Sequence, residues 1–236
     1  LFEVNRKGKE QDKVLAQKSK TKTRANTSVL RGNGTLIDRI NQIKAMVAKY
    51  LGGYEEETQL ITTYEDLLDY LKEAVNQGVI SIDTETTGLD PMLDKIVGLC
   101  IYTPTRKTAY VPINHISYIT QVRAENQLTA EEVAKALNKT IISNRIEVIM
   151  FNATFDIRVI RNQLGVKDIY CTWDTSLASK ILNENEPQAN LKDLHNKYCL
   201  NGKGDAFRFD DLFSGISFDL IPITTGYLYA AHDAII

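Results

Sequence analysis

The sequence predicts an α/β fold: a mixed sheet, with an antiparallel meander and parallel strands, flanked by helices. Three observations carry this. Residues 79–83, 95–102 and 107–112 are short apolar runs with short connections, the last two joined by a tight turn around Pro104, and such links favour an antiparallel meander. From residue 131 onward, helical and strand patterns alternate, as in helix-covered parallel units. The 236 residues are 43% apolar and 25% charged, an ordinary globular balance that excludes a fibrous or wholly disordered chain.

Residues 1–31 are rich in Lys, Ser, Thr and Gln without periodicity, as in a leader or linker. The first fifty residues hold 12 Lys/Arg against 4 Asp/Glu, and the remainder 16 against 26. A basic block of this kind either touches phosphate backbones or stays solvated. The acidic body argues against nucleic-acid binding by bulk charge and leaves room for held cations. Leu36, Ile37, Ile40, Ile43, Met46 and Val47 predict an amphipathic helix over 35–50, ended by Gly52-Gly53. A second helix opens at Thr63, with Glu65 and Asp66 in its first turn, and closes at Gly78. Strand 79–83 then enters the turn-rich Thr87-Gly88-Leu89-Asp90-Pro91. Beyond the meander come a helix over 131–142, a strand over 147–151, and a helix over 153–164. A strand over 169–173 and helices over 175–182, 191–198 and 225–236 complete the chain. The chain begins at Leu1 and stops inside a helical pattern, so it is expected to be part of a longer protein. The expected organisation is a basic N-terminal extension over 1–55, containing one amphipathic helix, and a main domain over 56–236.

Several classes are excluded. The apolar run 96–102 falls far short of the roughly 18 residues of a membrane span, so no membrane association is expected. The basic start has no apolar core behind it, so no secretory signal is expected. Cys100, Cys171 and Cys199 are widely spaced, with no C-x-x-C pair, and His115, His195 and His232 form no ligand run with them. A disulfide framework and a structural zinc site are therefore disfavoured, and a reducing cytoplasm is expected.

Chemistry concentrates in three segments. Asp83-Thr84-Glu85 ends an apolar strand, and period-2 alternation points both acids to one face. Such a pair repels unless a cation sits between them, and Mg²⁺ takes hard oxygen ligands of this kind; the plain alternative is a polar strand end. Asn152-Ala153-Thr154-Phe155-Asp156 follows a buried strand, with Asn152 in an N-cap position and Asp156 in the first helical turn. Asp156 there either answers the helix dipole or serves a ligand at the strand's carboxyl edge. Tyr229 and Asp233 are four apart and share a helical face, whereas His232 points elsewhere. A phenol and a carboxylate side by side suit orienting a water and holding a metal; a half-buried Tyr with a surface Asp is the structural alternative.

Together these segments resemble the DEDD 3′–5′ exonucleases in their tyrosine-containing branch. Asp83-Thr84-Glu85 matches the first motif, Asn152-x-x-Phe155-Asp156 the second and Tyr229-x-x-x-Asp233 the third, in order. The branch with His in place of Tyr needs a histidine five residues before the last aspartate, where this chain has Leu228. The resemblance extends to the proofreading domain of family-A, bacterial polymerase I-like DNA polymerases. It runs through residues 83–89, the 95–102 strand, residues 109–115 and Asp174-Thr175, covering the chain from about Thr62 to its end. Residues 1–55 match nothing in that group.

The resemblance implies a ribonuclease H-like fold and two-metal phosphodiester hydrolysis releasing nucleoside 5′-monophosphates from DNA 3′ ends. Two Mg²⁺ or Mn²⁺ ions would be held by Asp83, Glu85, Asp156 and Asp233, with Asp83 bridging them, and Tyr229 would orient the nucleophile. Leu89, Asn152 and Phe209 match positions that contact the substrate strand; a core Leu, an N-cap and a core Phe are the plain alternatives. The expected partners are a single-stranded or frayed DNA 3′ end and a polymerase domain in cis after residue 236, in the cytoplasm of a bacterium or a phage-infected cell. Two rivals remain: a ribonuclease D-like RNA 3′ exonuclease, and a non-catalytic DNA-binding domain on the same fold.

Overall fold

The structure is a computed structural model, in which residues 35–185, 190–202, 212–213 and 215–236 are described. The whole sheet belongs to the compact unit Ile40–Ile236.

Helix α1 (Leu36–Leu51) buries Ile40, Ile43 and Val47 of the predicted stripe and adds Leu51, while Ile37 is exposed. Strand β1 (Thr58–Leu60) leads into helix α2 (Tyr64–Gln77). Thr63 caps α2 by accepting from the Asp66 backbone N–H, and Gly78 ends it at φ 74°, in the left-handed region where glycine is unstrained. Strands β2 (Val79–Thr86), β3 (Ile96–Tyr102) and β4 (Thr108–Pro112) form the expected antiparallel meander. Helix α3 (Ala130–Leu137) opens with a Thr129/Glu132 capping box. Strand β5 (Glu147–Met150) and helix α4 (Ala153–Val159) follow. Then come strand β6 (Trp173–Asp174) and helices α5 (Thr175–Leu182), α6 (Leu191–Tyr198) and α7 (Ile223–Asp233).

One six-stranded sheet results, in the order β1-β4-β3-β2-β5-β6. β2, β3 and β4 pair antiparallel, while β1 joins β4, β5 joins β2 and β6 joins β5 in parallel. The mixed α/β sheet expected from the sequence is present, with differences in detail. β1 was not anticipated: three residues after a glutamate run carry little pattern, and their partner strand lies far away in sequence. The strand expected over 169–173 shrinks to Trp173 and Asp174, because Ile169 is buried in a turn bonded to Val166. The helices expected over 131–142 and 153–164 each finish in a wider π turn.

The two sheet faces have different work. Ile80, Ile82, Leu99, Ile101, Ala109 and Val111 join the main core with residues from α2, α3 and α4. One residue out of phase, Asp83, Cys100 and Tyr110 are register partners across β2, β3 and β4, on the opposite face. Helix α7 lies across β1, β3 and β4. It is pinned there by Thr108 Oγ1 donating to the Ala231 carbonyl and by the Tyr110–His115 pair. His115 Nδ1 donates to the Ile221 carbonyl at 2.9 Å, just before α7, so Nε2 accepts from the Tyr110 hydroxyl at 2.7 Å. Burial pushes the His115 imidazole down to about 4, which keeps it neutral in this role.

Gly98 makes room for this arrangement: a Cβ there would land on the phenol end of Tyr110, which is fully buried and cannot swing aside. Gly98→Ala is therefore expected to cost about 1–3 kcal/mol by overpacking, read as a lower urea midpoint. Leu93→Ala, at an 81% exposed position, should stay within about 0.5 kcal/mol of the parent.

Candidate active site

The site forms where β2 outruns its neighbour. β5 pairs with β2 only along Val79, Ile80 and Ser81, so the last residues of β2 are paired on the β3 side alone. Asp83 and Glu85 face the same way there, as the alternation required. Asp156 fills the open edge. Its Oδ1 accepts the Thr84 backbone N–H at 3.0 Å and the Thr84 hydroxyl at 2.6 Å, and the residue is 3% exposed. Thr84 thus anchors Asp156 from the strand face opposite the acid pair. The alternation that placed Asp83 and Glu85 also marks Thr84 as buried, and this was the available signal for its part.

The turn into α4 is set differently from the sequence expectation. Asn152 occupies the N-cap position with φ 55° and ψ 48°, but its side chain makes no capping bond. Asp174 caps instead, accepting the N–H groups of Asn152 at 3.1 Å and Ala153 at 2.9 Å. The same carboxylate accepts from Ser176 N at 2.9 Å and so also caps α5. Burial alone would raise Asp174, but these hydrogen bonds overcome it and hold the carboxyl below its ordinary range. An Asp just ahead of Thr175 and Ser176 was a readable cap signal for α5; its second duty on α4 was not. Asn152 is left exposed.

Helix α7 brings Tyr229 and Asp233 to the same place, one turn apart. Tyr229 is 6% exposed, with its ring edge-on to Phe213 at 5.0 Å. Lys192, near the start of α6, lies 3.8 Å from the Tyr229 ring centroid. Its ammonium donates to Asp233 Oδ2 at 3.2 Å and lies 2.9 Å from Oδ1, off the line of a hydrogen bond; Oδ1 is sealed from solvent with no other partner among the described residues. Nothing in the sequence singled out Lys192. His232, as expected, points away and packs in a tilted contact on Tyr54, with ring centroids 4.6 Å apart.

Asp83, Glu85, Tyr229, Asp233, Lys192 and Leu89 line a cleft of about 570 Å³, with Phe151 and Phe155 on its wall. A second cavity of about 550 Å³ shares Tyr229 and Lys192 but lacks the converging carboxylates. Leu89 is 91% exposed on a stapled loop, where Asp94 accepts from Asp90 N at 2.8 Å and Thr87 Oγ1 at 3.1 Å. Phe209 lies outside the described residues.

Convergence shows in the acidities. Burial and then the Asp156, Glu85 and Asp233 carboxylates hold Asp83 well above the ordinary carboxylate range. Burial, then Asp233, raises Glu85 to about 8 against the pull of Lys192. Burial raises Asp156 to about 6 even though two Thr84 hydrogen bonds favour its anion. Burial raises Asp233 despite the ammonium beside it, and burial then Asp233 push Tyr229 upward. Asp83 and Glu85 keep part of their surface open to the cleft, so the enclosing body, rather than complete sealing, disfavours their charge. These hard oxygen donors fit divalent cations, and the ammonium drawn onto Asp233 shows the local demand for positive charge.

This sheet, with carboxylates gathered at the end of β2, is a ribonuclease H-like nuclease architecture. The solved Trypanosoma brucei RNase D:GMP complex shares the fold, with a TM-score of 0.56 and 13% identity over 81% of this chain and 57% of that one. Residues 58–236 match the 3′–5′ exonuclease domain of family-A DNA polymerases, and the chain belongs to that family. It is 28% identical over 196 residues to DNA polymerase I of Pseudomonas aeruginosa, covering 78% of this chain and 20% of that protein. It is 29% identical over 233 residues to DNA polymerase I of Synechocystis sp., covering 96% and 22% respectively. The chain therefore spans about a fifth of the length of these curated relatives. Among the described residues, no helix is long and apolar enough to cross a membrane.

Carboxyls held above their unfolded values keep protons in the folded chain that the unfolded chain has already released. Stability of the metal-free protein is then fully present below the unfolded value of about 4.3 for Glu and is lost as pH rises through it. For Glu85 the loss is complete near its folded value of about 8. Thermal melts in EDTA should fall between about pH 5 and pH 8, with a shallower fall in Glu85→Gln and a reversal when Mn²⁺ is added. A flat profile in the unsubstituted protein would contradict the upward shift of these carboxyls.

Proposed function

We propose that this chain is a metal-dependent 3′–5′ exonuclease acting on DNA 3′ ends, the proofreading part of a family-A DNA polymerase. The observation that carries the reading is the meeting of Asp83, Glu85, Asp233 and Tyr229 at one cleft, with the buried Asp156 carboxylate close enough to raise Asp83. Asp83, Glu85, Asp156 and Asp233 would hold two divalent cations, Mg²⁺ or Mn²⁺. When bound, such a pair supplies an acidified water and charge compensation at the departing 3′ oxygen.

The chain's own residues position the rest. Tyr229 stays protonated, because burial and Asp233 raise its phenol; it serves as a hydrogen-bond donor that orients the attacking water, not as a base. Thr84 fixes the direction of the Asp156 carboxylate, as an outer-shell partner does for a metal ligand. Leu89, held out from its loop, offers an apolar face to the terminal base, and Phe151 and Phe155 offer aromatic wall. Asn152, freed of capping, is available to the strand. Contacts of this type tolerate any base, and a frayed mismatch reaches them at lower unpairing cost than a matched terminus. The bacterial DNA polymerase I relatives support a polymerase domain in the parent and a cytoplasmic setting.

A 5′-labelled single-stranded DNA should shorten from its 3′ end in Mg²⁺ and release nucleoside 5′-monophosphates, with no reaction in EDTA. Asp83→Ala should lower the rate by roughly 10²–10³-fold or more. A strong preference for a matching RNA would replace this reading with the ribonuclease D-like one, and tight DNA binding without cleavage would leave a binding domain. Thr84→Val should reduce the rate about 10–100-fold, while its denaturation midpoint shifts by only about 1 kcal/mol. An unchanged rate in Thr84→Val would remove Thr84 from the positioning role.

A further inference from the structure

The thiol of Cys100 takes no part in the proposed hydrolysis, yet it stands in the floor of the site. Cys100 on β3 is the direct register partner of Asp83 on β2, so the two side chains leave the sheet on the same face. Its Sγ and one carboxylate oxygen each from Asp83 and Glu85 all lie within 4.8 Å of one another. The side chain is 0% exposed, and among the described residues no hydrogen bond engages the sulfur. A buried, unpartnered sulfur beside two carboxylates that need a cation is a third donor in waiting.

We propose that Cys100 makes this a binding site for thiophilic divalent cations, zinc and cadmium foremost, with its sulfur joining the Asp83 and Glu85 carboxylates as the third protein ligand. The proposal rests on the reading that these carboxylates hold cations, and it adds a second class of ion with the opposite consequence. Zinc bonds of about 2.3 Å to sulfur and about 2.0–2.2 Å to oxygen, arranged tetrahedrally, set neighbouring donors ~3.5 Å apart. The donors start no more than 4.8 Å apart, so shifts of about an ångström close the set without moving the strands. Asp233, which lines the same cleft, fills the fourth place and closes the set.

Ion softness divides the outcomes. Mg²⁺ takes oxygen and leaves the thiol protonated and idle. Zn²⁺ or Cd²⁺ forms a bond to sulfur, and the thiol proton leaves to solvent. An ion so held ties Asp83 and Glu85 into a closed site, and a closed site is structural in character, without the open position that hydrolysis needs. Zinc should therefore inhibit the Mg²⁺-supported reaction, and Cys100 should set the concentration at which it does so.

The test titrates the metal-free protein with Cd²⁺ and follows the ultraviolet sulfur-to-cadmium charge-transfer band. The same titration is run on Cys100→Ser and Cys100→Ala, both checked by thermal melting. Cys171 and Cys199 are common to all three proteins, so the difference spectrum reports position 100. The parent should show a first-equivalent band that both variants lack, and each variant should bind Zn²⁺ roughly tenfold or more weakly, in line with losing a ligand-shell group. An identical band and affinity in the variants would overturn the proposal. Mn²⁺ binding retained in all three with no difference band would overturn it while leaving the carboxylate site standing. Failure of the parent to bind Mn²⁺ or Cd²⁺ at all would overturn the cation-site reading beneath it.

Discussion

Everything at the end of β2 depends on one electrostatic constraint: four carboxylates share a partly enclosed space that water alone does not solvate. Asp83 is raised by burial and by each of the other three acids. Left to itself the cluster would push its elements apart or keep its protons. The surrounding structure resists the first outcome. Asp83 and Glu85 are fixed by the β2–β3 ladder. Asp156 is tied to Thr84 by two hydrogen bonds. Asp233 rides on a helix pinned through Thr108 and, by way of Ile221, His115. Rigid elements hold such groups more accurately than loops do, and repulsion is tolerable only where the backbone cannot yield to it. The result is stored demand for cations.

Two residues outside the acid set show how that demand is managed. Lys192 is the only cationic side chain lining the cleft among the described residues, and it lies on Asp233 and against the Tyr229 ring. A tethered ammonium offsets part of the charge while binding only one of the four acids, so the Asp83–Glu85 side remains available. Asp174 works at the other flank. One carboxylate caps the first turns of both α4 and α5 and thereby fixes the turn from which Asp156 is projected. Unlike the site acids, Asp174 is held below its ordinary range. Two acids on adjacent turns thus have opposite tendencies, because one is met by several N–H donors and the other is enclosed among carboxylates.

What could be read in the sequence came from periodicity and from the three motifs that resemble a known family. Period-2 alternation put Asp83 and Glu85 on one face, and the four-residue step on a helix paired Tyr229 with Asp233 and sent His232 away. The start of α2 at Thr63 was legible because its capping partner Asp66 lies within one turn. The contacts that complete the site were not, because they join distant segments. Nothing near Thr84 announces Asp156, and nothing near Lys192 announces Asp233. Asn152 looked like a cap because Asn before a helix usually caps. The left-handed backbone there and the competing Asp174 gave the duty to a residue on another strand. β1 escaped notice for the same reason, since three residues acquire strand character only from a β4 edge formed much later in the chain.

Leu89 and Cys100 show one principle from opposite sides: a side chain placed where burial alone would not put it. The Thr87–Asp94 staple holds Leu89 91% exposed, although an apolar side chain on a stiff loop would gain by turning inward. Asp94 occupies the space into which the loop would otherwise collapse: a Cβ on Gly88 would meet its carboxylate. The exposure is therefore enforced, and its natural compensation is a flat apolar partner supplied from outside, such as the base at a strand terminus. Cys100 is the reverse, a group buried where a mere space-filler would serve equally well for packing. A methyl or hydroxyl at that register position would leave the Asp83–Glu85 floor purely hard in character, whereas a sulfur gives it affinity for a second class of ion. Packing alone does not distinguish these choices, but the binding of a thiophilic cation would.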